Sequence, residues 1–146
     1  MPADSQPAAT VPDRLTVANE VGELLRVAGW LEQAAAHFGW PDRAIFKLDL
    51  VLNEALPNII SYAYPDPGLH HIHLRLEDHP EHVTLEICDD GIAFDPFAET
   101  HGPDNSSLET ASLGGRGIPL IVAFSAARDY ARVGQTNRLR VVLTKQ

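Results

Sequence analysis

Apolar residues along this chain recur at three- and four-residue steps in some stretches and at every second residue in others, and the switches mark its elements. Leu15-Thr-Val17 alternates and reads as a short first strand. Asn19 stands where a helix N-cap is expected. Val21, Leu24, Ala28, Leu31, Ala35 and Phe38 then follow the helical period, Gly39 ends the helix and Pro41 opens the next. The second helix runs from about Asp42 to Ala63. On it Leu48, Leu52, Ala55, Leu56, Ile59 and Ala63 share one arc, and Lys47, Glu54, Asn58 and Ser61 fall together on the opposite one. That polar arc reads as a solvated face or, because Leu50 and Val51 flank it, as the wall of a partly covered pocket. Pro57 lies inside this helix, where it removes one backbone hydrogen bond and tends to kink the axis.

The pattern then becomes β. Ile72, Leu74 and Leu76 alternate with His73, Arg75 and Glu77, and after the Asp78-His-Pro-Glu81 turn Val83, Leu85 and Ile87 alternate with Thr84, Glu86 and Cys88. This hairpin delivers the chain to Asp89-Asp90-Gly91. From Phe94 to Leu113 no period is visible, and Pro, Gly, Asn, Ser and Asp are dense, as in a lid or a disordered loop. Gly114 to Ala127 is expected as a helix with Pro119 in its first turn. Arg128–Val133 and Arg138–Leu143 form a second hairpin around Gly134-Gln-Thr-Asn137. There are no internal repeats. The expected organisation is a disordered tail over residues 1–13 and one domain over 14–146.

Composition adds exclusions. The formal charge of −9 argues against a large phosphate-backbone footprint, so no direct nucleic-acid partner is expected. No stretch approaches a membrane span. The first residues lack the basic start and continuous apolar segment of a secretory signal, which makes a cytoplasmic location the default. Cys88, the single cysteine, is expected as a small buried residue. Seven histidines include His71, His73 and His82 around the first hairpin; with no cysteine to join them they read as a surface cluster, and no metal is assigned to them.

Among motifs, neither a P-loop nor a strand-linked G-x-G-x-x-G is present. Gly114-Gly115-Arg116-Gly117, opening a helix, suits an anion site or a tight loop exit equally. Asp89-x-Gly91 after a strand suits a ligand contact or an Asx turn.

Together these patches resemble the Bergerat-fold (GHKL) ATPase superfamily of gyrase, MutL and the histidine kinases. Glu54-x-x-x-Asn58 is similar to its N box, Asp89-x-Gly91 to its G1 box, and Gly115-x-Gly117 after a variable lid to its G2 box. Asn58-Ile-Ile-Ser-Tyr-Ala-Tyr64-Pro-Asp66 and Asp89-Asp-Gly-x-x-Phe94-Asp95-Pro96 are most similar to the stand-alone anti-sigma factor serine/threonine-protein kinases. The resemblance implies an α+β fold, a two-layer α/β sandwich whose mixed, mostly antiparallel sheet carries about three helices on one face. It implies ATP and Mg²⁺ as cofactors, Glu54 as catalytic base and Asn58 as metal ligand. It further implies Asp89, Gly91 and Ala93 at the adenine, and Gly115, Arg116 and Gly117 at the phosphates. The implied activity is phosphorylation of an anti-anti-sigma (STAS-domain) protein with capture of a sigma factor, in a protein that often forms homodimers. Three positions depart from the family pattern: Tyr62 replaces a histidine, Ala93 a glycine, and Pro57 precedes Asn58. They motivate an alternative, a nucleotide-sensing module that sequesters a regulator without phosphoryl transfer.

Overall fold

The period-two runs form β1 (Arg14–Ala18), β2 (His71–Asp78), β3 (His82–Asp89), β4 (Ala127–Val133) and β5 (Thr136–Thr144). The helical runs form α1 (Leu24–Phe38), α2 (Asp42–Tyr62) and α3 (Gly117–Phe124). A computed structural model describes residues 11–97 and 117–146. Residues 1–10 of the expected tail, most of the expected lid, and Gly114, Gly115 and Arg116 lie outside the described residues. Asp13, placed with the tail by composition, already accepts a hydrogen bond from the Leu76 backbone at 2.9 Å.

The strands form one sheet in the order β1-β2-β3-β5-β4. Every pairing is antiparallel, so the sheet expected as mixed, mostly antiparallel is antiparallel throughout the described residues. Alternation assigns its two faces. Ile72, Leu74 and Leu76, then Val83, Leu85 and Ile87, then Leu139, Val141 and Leu143 are buried against the helices. From α2 they meet Ala44, Leu48, Val51, Leu52, Ala55 and Leu56, and from α1 Val27, Trp30, Leu31, Ala34 and Ala35. Each fully buried branched side chain here contributes about 1.5–3 kcal/mol by leaving water. The other face carries His71, His73, Arg75, Glu86, Arg138 and Arg140. There Glu86, half-buried, accepts from Arg140 Nη2 at 2.8 Å and from Arg75 Nε at 3.3 Å. Burial opposes its ionisation, but the two guanidiniums win and hold its carboxyl below the usual range.

Several local expectations are corrected. Asn19 does not cap α1: its Oδ1 accepts from the His70 backbone at 2.9 Å and its Nδ2 donates to Gly68 O at 3.3 Å. A 3₁₀ turn, Val21–Glu23, intervenes before α1. Gly39 ends α1 in the left-handed region, φ 70°, as its position suggested. Pro41 is the extended residue before α2 rather than its first helical one. Pro57 is accommodated, and α2 runs through it to Tyr62. Lys47 leaves the polar arc for the chain end, its Nζ donating to Thr144 Oγ1 at 2.8 Å and Gln146 O at 2.7 Å. Cys88 is half-buried, on the face turned from the helices; burial, with Glu86 nearby, pushes its thiol up. No helix among the described residues is long and apolar enough to cross a membrane.

Candidate functional site

The hairpin between β2 and β3 carries Asp89 to the end of β3 with its side chain on the helix side. Its register neighbours are Ile72 on β2 and Asn137 on β5. Asp89 is 5% exposed and Asn137 6%, and both are polar groups at the margin of the apolar core. One carboxylate oxygen of Asp89 is saturated: Oδ1 accepts from Gly91 N at 2.8 Å and from Asn137 Nδ2 at 3.0 Å. Oδ2 has no hydrogen-bond partner among the described residues. Burying a carboxylate is costly unless it is bonded, and the two donors offset that cost while leaving one acceptor oxygen. On the opposite face of the sheet His71, His73 and Thr136, with His70, Asp89 and Asp90 at its margin, line an open cleft.

Asn137 was missed in the sequence because Gly134-Gln-Thr-Asn137 reads as a turn. The actual turn is tighter: Val133 pairs with Thr136, and Gly134 supplies the positive φ of 64° that a two-residue hairpin needs. Asn137 therefore falls inside β5, on the same face as Leu139, Val141 and Leu143. Its Nδ2 also donates to Ile92 O at 2.8 Å, and its Oδ1 accepts from the Tyr130 hydroxyl and, at 3.4 Å, from Phe94 N. One carboxamide thus joins β3, β4, β5 and the turn after Asp89. The signal available was a polar residue in phase with the buried positions of a strand.

Gly91 is required by a different neighbour from the one anticipated. A Cβ there would lie 2.5 Å from Ala63 Cβ and 2.6 Å from Ala63 O, so the turn packs directly on the end of α2. Ile92 N donates to Ala63 O at 2.9 Å, and Arg132 Nη1 closes the turn from β4 by donating to Gly91 O at 2.8 Å. Ala93, expected at the adenine, lies in the exposed turn that follows.

This junction brings the α2 motif to the Asp89 turn. Asn58 and Glu54 precede Ala63 by about 7.5 Å and about 13.5 Å along the helix axis. They lie one helical turn apart on one side of α2, and both are half-buried. Glu54 makes no side-chain hydrogen bond to another described residue, which leaves its carboxylate available. Gly117 opens α3, while Gly115 and Arg116 lie outside the described residues. Tyr62, on the helix's last turn, is 48% exposed.

Beyond α2, Tyr64 stacks on His70 with ring centroids 4.3 Å apart. The Tyr64 hydroxyl is buried without a partner among the described residues. Burial, with Asp89 and Asp90 adding repulsion, raises its pKa. An acceptor-only carboxylate oxygen fits a ligand edge that carries an N–H donor, and the base of an adenine nucleotide has one. Among the described residues no group of three or more His, Cys, Asp or Glu is arranged to hold a metal ion.

Residues 17–143 match the histidine kinase-like ATPase domain family. A relative, the serine/threonine-protein kinase BtrW of Bordetella bronchiseptica, is 38% identical over 110 residues, covering 75% of this chain and 78% of its own length. The fold is similar to that of the Acinetobacter baumannii histidine kinase AdeS, with a TM-score of 0.50 at 14% identity. That likeness covers 90% of this chain and 68% of the other. With a match spanning nearly the whole chain and an antiparallel sheet backed by helices, the chain belongs to the histidine kinase-like ATPase domain family.

Proposed function

We propose that this chain is an ATP-dependent serine/threonine-protein kinase that phosphorylates an anti-anti-sigma (STAS-domain) partner and regulates a sigma factor by partner switching. The observation that carries the reading is the junction of Ala63 with Gly91. It joins an α2 face bearing Glu54 and Asn58 to a buried Asp89 with one oxygen left to accept. The kinase name of the 38% identical relative supports the activity.

In this reading Asp89 Oδ2 accepts from the exocyclic amino group of adenine, and Asn137 and Gly91 keep the carboxylate turned to do so. The Asn58 carboxamide would hold Mg²⁺; a single protein ligand suits an ion that keeps most of its waters. Gly115, Arg116 and Gly117 contact the phosphates. Mg·ATP, when bound, supplies the phosphoryl group and offsets the charge on its oxygens. Glu54 holds the hydroxyl of the partner's serine and takes its proton as the serine oxygen bonds phosphorus and the bond to ADP breaks.

The test is incubation with Mg·ATP and a STAS-domain partner. Phosphoserine on the partner is expected. Glu54→Gln should lower transfer by about 100-fold or more while keeping nucleotide affinity within about threefold. Transfer undiminished in that variant removes Glu54 as base. ATP binding by the wild type without transfer to any partner supports the nucleotide-sensing module instead, and absence of ATP binding refutes both.

A further inference from the structure

Resting on the nucleotide reading of Asp89, we propose that His70 is a positioning residue: its imidazolium clamps the loop after α2 to the turn that carries Asp89, and so makes nucleotide affinity depend on pH.

The geometry carries the inference. The His70 backbone is fixed on both sides by Asn19, which accepts from His70 N at 2.9 Å and whose own N–H donates to His70 O at 3.0 Å. The ring is therefore held in place, and both of its nitrogens face carboxylates. Nε2 lies 3.0 Å from Asp66 Oδ2 and 3.1 Å from Asp66 Oδ1, while Nδ1 lies 3.2 Å from Asp90 Oδ1. A neutral imidazole carries one N–H and cannot donate to both. Its second nitrogen would turn a lone pair toward an anion. The observed bridge is therefore that of a protonated ring, which the stacked Tyr64 face also favours. The charged and titratable groups around it are Asp66 and Tyr64 on the loop, Asp90 after β3, and His71, His73 and Asp89 across the shared cleft. Asp90 adjoins Asp89 directly, so releasing Asp90 loosens the turn whose carboxylate meets the base.

Asp66 first, opposed by burial and then reinforced by Asp90, raises the His70 pKa above its ordinary value, and His70 in turn lowers that of Asp66. A group whose pKa is raised on folding contributes fully below its unfolded value and loses that contribution as pH rises through the folded one. The clamp is thus closed in mildly acidic solution and opens as pH rises past the His70 pKa.

Two measurements test this. Without nucleotide, the His70 ring signals are followed by NMR from pH 5 to 9 and identified by their loss in His70→Gln. The expected midpoint lies above the ordinary histidine value, and Asp66→Asn and Asp90→Asn each lower it. A midpoint unchanged in both variants overturns the clamp. Second, calorimetry with Mg·ADP is expected to show affinity weakening about twofold to fivefold from pH 6 to pH 8.5, the range of a partly exposed ion pair. In His70→Gln that dependence should flatten. The same pH dependence in His70→Gln as in the wild type overturns the coupling. If the wild type binds no Mg·ADP at any pH, the nucleotide reading fails and the coupling with it, whereas the clamp is still judged by the ring titration.

Discussion

Replacing Asn137 by Asp keeps the shape of the side chain and changes one atom: the Nδ2 donor 3.0 Å from Asp89 Oδ1 becomes an oxygen. Two unit charges about 4 Å apart repel by about 4 kcal/mol at the effective dielectric of a protein site. The Ile92 carbonyl, which accepts from Nδ2 at 2.8 Å, also loses its donor. The pair can escape by taking up a proton, which then bridges the two carboxylates. Starting from an ordinary Asp near pH 3.9, that costs roughly 5.6 kcal/mol at pH 8 but about 1.5 kcal/mol at pH 5. The smaller cost prevails at each pH. The variant is therefore expected to be less stable than the wild type by about 4 kcal/mol at pH 8 and about 1.5 kcal/mol at pH 5.

The sign follows from linkage. A proton shared by two carboxylates has a folded-state pKa above the unfolded one, so its contribution is present at low pH and lost as pH rises. For a domain of this size, a loss of 1 kcal/mol lowers Tm by roughly 3–5 °C. Thermal unfolding followed by circular dichroism should then show a deficit of roughly 12–20 °C at pH 8 that shrinks to roughly 5–8 °C at pH 5. A deficit below about 1 kcal/mol at pH 8, or one that does not shrink on acidification, refutes the argument that the Asn137 amide is what holds Asp89.

Gly91→Ala places a methyl group 2.5 Å from Ala63 Cβ and 2.6 Å from Ala63 O, where backbone must move. Urea unfolding should show a loss of about 1–3 kcal/mol, and nucleotide affinity should fall with it. Glu86→Gln removes the anion between Arg140 and Arg75 and should cost about 1 kcal/mol at neutral pH. Because the Glu86 carboxyl is held below its usual range, that difference is present above the unfolded pKa and closes as pH falls through the folded one, which denaturation at a series of acidic pH values measures. Trp40→Phe breaks the 2.6 Å bond from Nε1 to Asp78 Oδ1; a loss of about 1–2 kcal/mol is expected in the same unfolding assay.

The motif spacing along the chain and the alternation of its strands were enough to locate the elements and to single out Glu54, Asn58, Asp89 and Gly91. Local periodicity records which face of an element is buried, and the period of two or of three to four survives in the sequence because each buried face has to be apolar. The same periodicity cannot say what a polar residue bonds to. Asn19 had the composition of a helix cap and became an anchor for His70. Lys47 shared an arc with Glu54 and went to the chain end. Asn137 looked like turn chemistry until strand register moved it into β5 beside Asp89. Gly91 was visible as a glycine, but the reason for it, the end of α2 packed against the turn after β3, joins residues far apart in the chain. The sequence by itself determined which apolar faces are buried and which segments become helix or strand. Only tertiary structure decided which polar groups meet, because hydrogen-bond partners are chosen by the register of neighbouring strands and the closing of distant loops, and neither is encoded locally.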